Sequence, residues 1–186
     1  MTMRGLTGAI AIGVVFGLTT AGPAQAAETF SGTASVKTAT ASASRPITIQ
    51  VERFLTDAER DDVASVVKTN DNAAVVKLLS GMPDIGYIQV GERKTPIKYA
   101  YSRSTGAGRM VTVATAVPVL HLGGSEPDAK PKAGYDMAFA LLVLDANDKG
   151  SGEFGPAVKL KVNENGALVT EDYGTDVVRI TDAAKK

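Results

Sequence analysis

The feature that most constrains this fold is an apolar run, residues 137–144, followed by a loop rich in Gly and Asp and then an alternating segment, residues 157–162. The run reads MAFALLVL and the segment reads AVKLKV. A strand covered on both faces is apolar at every position, whereas a half-buried strand alternates apolar and polar residues. We therefore predict a β-hairpin over residues 135–162 that passes through the core.

The two faces of the run are predicted from its period of two. Odd-numbered residues from 137 to 143 share one face and even-numbered residues from 138 to 144 share the other. The small side chains of Ala138 and Ala140 would let a helix approach closely. With both faces covered, Leu141→Asp is expected to unfold the domain, whereas Asp148→Ala in the loop is expected to have little effect.

Two helices are predicted between the first strands and the rest of the chain. Thr56-Asp57-Ala58-Glu59 is a capping box, in which each end residue can satisfy a free amide of the other. A second helix starts at Asn70 or Asp71 and is stopped by Gly81 and Pro83. Both are short, so they must pack on an apolar surface, and one face of the sheet is the expected floor.

Strands account for most of the remaining chain, because the period-two pattern recurs in many short segments. The segment 30–37 is predicted as a weak, edge-type strand, and residues 38–44 also read as a linker. The fold class is α+β: a mainly antiparallel sheet, sandwich or half-barrel-like, of about eight strands, with an αα-hairpin packed on one face. The further strands are predicted at residues 47–52, 85–90, 97–102, 111–117, 168–173 and 177–180.

The first 26 residues are typical of a cleavable secretory signal. Arg4 precedes an apolar stretch, residues 6–18, and Ala24-Gln25-Ala26 supplies the small residues of a cleavage site after Ala26. The stretch is shorter than the roughly 20 residues that a membrane-spanning helix needs. We expect a periplasmic or secreted protein with no integral membrane segment after cleavage, a single domain over residues 27–182, and a disordered tail over residues 183–186.

Composition excludes several classes of function. The 20 basic and 20 acidic residues balance and are scattered, so the clustered positive face of a nucleic-acid-binding protein is absent. The chain has no Cys. Disulfides, thiol catalysis and thiolate metal sites are therefore ruled out, and stability must come from the core.

The loop in the predicted hairpin resembles a calcium-binding loop at first sight. Asp145, Asn147 and Gly150 match the first, third and sixth positions of an EF-hand. Lys149, however, stands where an oxygen ligand is required, and Pro156 stands where the bidentate Glu should be. We interpret the loop as a solvated turn that uses Asp, Asn and Gly for their backbone angles, with no metal bound.

His121 is the only histidine, so it cannot form a zinc site of several imidazoles. It could act as a general base beside Ser125 with Asp128 or Asp136. The G-x-S-x-G motif of a nucleophile elbow is absent, and a structural role is the favoured interpretation. The sequence accordingly predicts no catalytic, cofactor-binding or metal-binding residue.

Three other patterns are interpreted as structural. The segment STGAG, residues 104–108, lacks the spacing and the lysine of a phosphate-binding loop and is predicted as a turn. The adjacent acidic pairs 61/62 and 171/172 diverge on any regular element and are predicted to be solvated. The tyrosines are predicted to lie in the core or at its rim: Tyr87, Tyr99, Tyr101, Tyr135 and Tyr173.

Four stretches together resemble an uncharacterised family of small exported bacterial proteins. They are TDAERDDVASVV with LLSGMPDIGYI, IKYAYSRSTGAGRMVTVATAVPV, YDMAFALLVLDANDKGSGEFGPAVKLKV and LVTEDYGTDVVRIT. The resemblance implies a helical hairpin with an antiparallel sheet and implies no activity. Residues 120–135 depart from the family pattern, since they are polar and Pro-rich where the family has more aromatic residues.

Three functions remain open from the sequence. The first is a non-catalytic periplasmic or secreted domain that acts as a scaffold or binds a small apolar ligand or another envelope protein. The second is a cell-envelope hydrolase that uses His121 or an acidic pair. The third is an assembly or adhesion module that pairs through an edge strand, with residues 30–37 as the candidate donor.

Overall fold

The fold is described from a computed structural model that covers residues 27–37, 42–69, 71–120 and 132–186. The predicted signal peptide, residues 1–26, lies outside the described residues. Within the described part of the chain, no helix combines the length and the apolar character needed to cross a bilayer.

The described residues form ten strands and two helices. The chain begins with β1 and β2, continues through the helices α1 and α2, and then runs through eight more strands. Their bounds are β1 (Glu28–Lys37), β2 (Ser42–Val51), α1 (Asp57–Val67), α2 (Asn72–Gly81), β3 (Gly86–Val90), β4 (Arg93–Pro96), β5 (Tyr99–Thr105), β6 (Gly108–Ala114), β7 (Met137–Asp145), β8 (Lys149–Val162), β9 (Leu168–Tyr173) and β10 (Val178–Lys185).

All strand pairs are antiparallel, and the order across the sheet is β4-β3-β2-β1-β10-β8-β7-β6-β5, with β9 paired to the end of β8. The two end strands, β4 and β5, are separated along the chain by only Ile97 and Lys98. Three peptide steps span at most about 11 Å, so the sheet must curl until its two edges come close. The predicted α+β class, with a half-barrel-like antiparallel sheet and a helical hairpin, is confirmed.

The concave face of the curled sheet holds a closely packed core. Ile47 and Ile49 of β2 lie beside Leu142 of β7, although three strands separate β2 from β7 in the sheet. The crevice between these side chains, Phe30 and Ile180 is too narrow to admit a water molecule. This part of the interior is therefore sealed, as expected for a chain without disulfides whose stability depends on burial.

The predicted hairpin forms, and β7 is a central strand between β6 and β8. Its even-numbered residues all face the concave core, where Leu142 is 2% exposed. On the other, convex face, Met137 is fully buried, Leu141 is half-buried and Val143 is 51% exposed. The prediction that both faces are covered is thus right for the first half of β7 and wrong for the second.

Helix α1 lies on the convex face, against β5 and β8, and α2 packs against α1. The Tyr101 hydroxyl of β5 donates to Asp57 of α1 at 2.6 Å, and Tyr101 shares its face of the sheet with Leu141 through paired residues. Ala138 and Ala140 point to the opposite face, so the idea that they receive the helices is wrong. The capping box of α1 forms as predicted: the Glu59 amide donates to the Thr56 hydroxyl at 3.3 Å, and the Thr56 amide donates to the Glu59 carboxylate at 2.8 Å.

Two predictions about the chain ends are corrected. β1 lies between β2 and β10, so the segment 30–37 is an interior strand. Its Thr and Ser residues hide the fact that Phe30 and Ala34 are buried in the core. Residues 183–185, expected in a disordered tail, belong to β10, because Ala183 is buried and Lys185 pairs with Phe30.

Candidate functional site: a groove on the convex face

A groove crosses the convex face where the helical cover ends. Its floor is Leu141 of β7 and its far wall is Val169 of β9, which contact both halves of the groove. We call it the convex groove. One half is lined by Arg60, Tyr99, Tyr101, Arg103, Met110, Thr112, Leu141, Asn163, Asn165, Ala167, Leu168 and Val169, and the other by Phe139, Leu141, Glu153, Gly155, Val169, Thr170 and Tyr173.

Local sequence explains why the β8–β9 turn forms this wall. The Asn163 side-chain oxygen accepts the amides of Asn165 and Ala167, each at 3.0 Å, and Gly166 follows with φ of +73°. Such side-chain-to-backbone bonds and a left-handed glycine are the usual means of making a tight turn. The turn brings Leu168 and Val169 back over the outer surface of β7.

The first half of the groove is its arginine end, defined by Arg60, Arg103 and Asn163. Arg60 is fixed: it forms a 2.7 Å ion pair with Asp61, and its guanidinium carbon lies 5.0 Å from the centre of the Tyr101 ring. Arg103 donates to the Met110 sulfur at 3.6 Å, which is a weak acceptor. The cavity at this end has a volume of about 50 Å³, which is room for a few waters or one small side-chain group.

Tyr99 forms part of the buried wall of the arginine end. It is 1% exposed, and burial raises its pKa to about 12, an effect that the hydrogen bond with Thr112 partly offsets. The Tyr99 hydroxyl is therefore protonated at any physiological pH. A neutral phenol in this position adds no negative charge to the arginine end.

The second half of the groove is its glutamate end, defined by Glu153, Thr170 and Tyr173. It is wider, with a cavity volume of about 170 Å³. Glu153 pairs with Leu141 in the sheet, so its side chain stands beside the floor on the convex face. The groove thus has an apolar middle, a basic end and an acidic end.

A separate ion cluster closes one end of the concave face. Arg109 of β6 reaches Glu28 of β1 at 2.8 Å and Asp148 at 2.7 Å, and Lys185 reaches Glu28 at 2.8 Å. In a flat sheet β1 and β6 would be about 19 Å apart, so the cluster fixes the curl. Burial opposes the charge of Arg109, but its hydrogen bonds to Asp148 and Glu28 outweigh burial and raise its pKa.

Asp148 is predicted from the sequence to be a dispensable loop residue, but the structure places it in the ion cluster. Its carboxylate pairs with Arg109, and its backbone has φ of +57°, a left-handed angle that is uncommon for non-glycine residues but that Asp and Asn adopt more often than most. Asp145, by contrast, behaves as predicted for a turn. Its side chain accepts the amides of Lys149 and Asn147, and these two bonds lower the Asp145 pKa.

A third polar group surrounds Tyr135, just before β7. Its hydroxyl donates to Asp172, and the ammonium groups of Lys132 and Lys159 lie 5.1 and 4.8 Å from its ring centre. The hydrogen bond from Tyr135 lowers the pKa of Asp172 and raises that of Tyr135. The Tyr135 hydroxyl is therefore held protonated, which is the wrong state for a nucleophile or general base.

The proposed hydrolase residues are not brought together by anything that the structure describes. His121, Ser125 and Asp128 lie outside the described residues, and Asp136 is half-buried immediately before β7. The acidic pairs do not converge: Asp61 pairs with Arg60, and Asp172 accepts from Tyr135. Among the described residues, no three His, Cys, Asp or Glu side chains form a metal-binding group.

The remaining tyrosines lie in the core or at its rim as predicted, and three of them line the convex groove. Tyr87 lies outside it, with the Lys94 ammonium 4.0 Å from its ring centre. The STGAG segment forms the β5–β6 turn. Sequence reasoning did not find Arg103, Asn163 or the exposed Val143, because their significance depends on the β8–β9 turn folding back across β7.

Comparison with family models, with curated proteins and with solved structures finds no match for this chain. The resemblance to small exported bacterial proteins therefore stays a prediction.

Proposed function

We propose that this chain is an exported bacterial protein, cleaved after Ala26, whose folded part is a non-catalytic domain that binds an extended segment of another envelope protein in the convex groove. The observation that carries this proposal is the loss of cover along β7. Val143, on a central strand, is 51% exposed and continues the apolar floor formed by Leu141 and Met110. Exposed apolar surface in such a position is typical of an interaction site.

The size of the groove favours a chain segment over an enclosed small molecule. Pockets for drug-sized ligands have volumes of about 300–1,000 Å³. Each half of the groove is smaller than this, at about 50 and 170 Å³, and each opens to solvent along the sheet. The version of the proposal in which an apolar ligand enters the crevice around Leu142 is not favoured, because that crevice is closed.

Selection from a random peptide library displayed on phage tests this proposal without knowledge of the natural partner. The enriched peptides would then be measured by fluorescence anisotropy against the wild type, Leu141→Lys and Val177→Ser. Val177 is an exposed apolar residue outside the groove, so its variant is the matched control. We expect binding to be lost in Leu141→Lys and kept in Val177→Ser. Equal binding to Leu141→Lys would contradict the groove.

Export is tested separately by expressing the full chain in a bacterium and measuring the mass of the protein in the periplasmic fraction. We expect a mass that begins at Ala27. A full-length product retained in the cytoplasm would contradict the proposed signal.

A second candidate function is assembly with another chain through an edge of the sheet. The edge of the end strand β5 favours this function, because only part of it is covered. Leu55 donates its amide to Ala100, so the chain before α1 covers the first part of this edge only. The other end strand, β4, is short and carries Arg93, Lys94 and Pro96, which discourage pairing. Ser104→Pro would block strand addition at β5, and an oligomer that survives this change would contradict edge pairing.

A further inference from the structure

The arginine end of the convex groove has more hydrogen-bond donors than acceptors. Within the described part of the chain, the guanidinium of Arg103 has only the Met110 sulfur as a polar partner. The Asn163 oxygen is used twice inside its turn, and its NH2 group has no partner among the described residues. Arg103, which is exposed, and Asn163 therefore line the cavity with donors that no described oxygen acceptor uses.

Carboxylates offset the charge of Arg60 at this end: Asp61 pairs with Arg60, and Asp57 accepts from the Tyr101 hydroxyl, which leaves Arg103 as the cation with no carboxylate partner among the described residues. Arg60 contributes a fixed charge, held by Asp61 and the Tyr101 ring. The Arg60 Nε is buried without a partner among the described residues, so that atom offers no contact to an occupant. An occupant that carries only acceptors and one negative charge would balance this surplus of donors.

Beside the donors the cavity is apolar, with Met110, Leu141 and Leu168 in its lining. The volume of about 50 Å³ has room for a carboxylate on a short stem. An apolar stem that ends in a carboxylate is the chemistry of a glutamate side chain or of a peptide C-terminus that follows an apolar residue.

The opposite charges at the two ends of the groove also determine the direction in which a bound segment would lie. Arg103 stands on β5 and Glu153 on β8, three strand spacings away, which is about 14 Å. An extended chain rises about 3.3 Å per residue, so about five residues connect the ends. A complementary segment has its carboxylate at the arginine end, apolar residues over Leu141 and a basic residue at Glu153.

We propose that the arginine end of the convex groove is a carboxylate subsite, which binds an acidic side chain or a C-terminal carboxylate of the bound segment through Arg103 and Asn163. This inference rests on the proposed function, because it specifies the segment that the groove binds. Arg103 is the contact that determines specificity.

The experiment uses four pentapeptides and a protein labelled with 13C at its methionine methyls. The first two are acetyl-Lys-Val-Leu-Val-Glu-amide and the same peptide with Gln in place of Glu. The third ends in Gln with a free C-terminal carboxylate, and the fourth, acetyl-Glu-Val-Leu-Val-Lys-amide, reverses the chain direction. The Met110 methyl reports occupancy of the groove, and Met137, fully buried, is the internal reference.

We expect the peptides that carry the carboxylate at the subsite to shift the Met110 signal with a Kd about tenfold lower than the Gln amide, since charge-assisted bonds are roughly twice as strong as neutral ones. Tighter binding of the Glu amides would assign the subsite to a side chain, and of the free acid to a C-terminus. Arg103→Gln should abolish the preference, Arg103→Lys should restore part of it, and Arg45→Gln, a distant exposed arginine on β2, should leave it unchanged.

Equal affinity for the Glu and Gln peptides, or a preference that survives Arg103→Gln, would overturn the carboxylate subsite and leave the groove as a binding site. If none of the four peptides shifts the Met110 signal, the proposal of a carboxylate subsite is overturned. The phage selection then tests independently whether the groove binds a peptide.

Discussion

The two faces of β7 differ in a way that separates stability from binding. On the concave face Ala138, Ala140, Leu142 and Leu144 are all at most 2% exposed. On the convex face the exposed fraction of the side chain rises from zero at Met137 to 51% at Val143, which lies six residues further along the same strand. Both faces are equally apolar in sequence. The difference lies in what covers them: opposite strands of the curled sheet on one side, and a helical hairpin that ends early on the other.

This contrast shows why an apolar strand does not by itself indicate a covered strand. Curling brings Ile47 and Ile49 of β2 beside Leu142 of β7, so the sheet itself seals this part of the concave face. The convex face depends on α1 and on the β8–β9 turn, which leave the groove between them. The apolar residues that remain uncovered are the basis of the proposed binding function.

The largest loss of stability is expected when an aspartate replaces an apolar residue of β7, and its size should depend on the face that carries the substitution. Leu142→Asp places a carboxylate in the sealed core and loses the burial of a leucine, which together exceed about 4 kcal/mol and unfold the domain. Val143→Asp should cost less than about 1 kcal/mol because the side chain reaches water. Leu141→Asp, half-buried, should fall between the two and not unfold the protein. Urea denaturation of the three variants measures the order, and equal losses would erase the distinction between the faces.

A substitution in the ion cluster tests whether ion pairs hold the curl of the sheet that seals the concave face. Glu28→Gln leaves Arg109 and Lys185 with a weaker partner in a mostly buried site, and we expect a loss of about 3 kcal/mol in the free energy of unfolding. Lys161→Gln, on an exposed strand position, is the control and should change little. A Glu28→Gln protein as stable as the wild type would show that packing alone holds the curl.

Asp148→Ala addresses the same cluster from the turn. We expect a loss of about 1–2 kcal/mol, since Ala removes the acceptor of Arg109 and disfavours the positive φ. Asp148→Asn tolerates that backbone angle better and should recover part of the loss. Thermal unfolding distinguishes them, and an Ala variant as stable as the wild type would restore the original interpretation of a dispensable loop.

The capping box of α1 tests the cover of the convex face, with the smallest effect. The hydrogen bond from Arg53, with that from the Thr56 amide, lowers the pKa of Glu59 to about 2 from a usual value of 4.5. A depressed folded-state pKa adds stability above the unfolded pKa, which is lost as the pH falls from 4.5 towards 2. Because Glu59 is exposed to solvent, we expect under about 1 kcal/mol at pH 7. Glu59→Gln should differ from the wild type at pH 7 and match it at pH 2; a difference independent of pH would contradict the assignment.

Local signals were predictable from sequence, and non-local ones were not. The capping box at Thr56 and the hairpin around β7 depend on neighbours in the chain, and both form as predicted. The place of β1 in the middle of the sheet was missed, because its Thr and Ser residues resemble an edge. Residues 183–185 resemble a polar tail, and only their pairing with β1 and β8 orders them.

The convex groove could not be predicted from the sequence for the same reason, because it depends on contacts between residues that are distant in the chain. Leu141 and Val143 read as core residues, and Asn163 as a turn residue, each of which is right locally. These residues come close together only because β8 bends and β9 returns over β7. The alternation of apolar and polar residues in the sequence does not predict such a bend. The guanidinium of Arg103, whose polar partner among the described residues is the Met110 sulfur alone, becomes informative only once its neighbours in space are known.

The most direct test of the account is a methyl NMR spectrum of the Ile-, Leu-, Val- and Met-labelled domain, recorded with and without acetyl-Lys-Val-Leu-Val-Glu-amide. The account predicts that the signals of Met110, Leu141, Val143 and Val169 shift on the convex face. The signals of Ile47, Ile88 and Ile180 in the sealed concave core should stay in place. Shifts confined to the concave core, with the convex face unchanged, would contradict it.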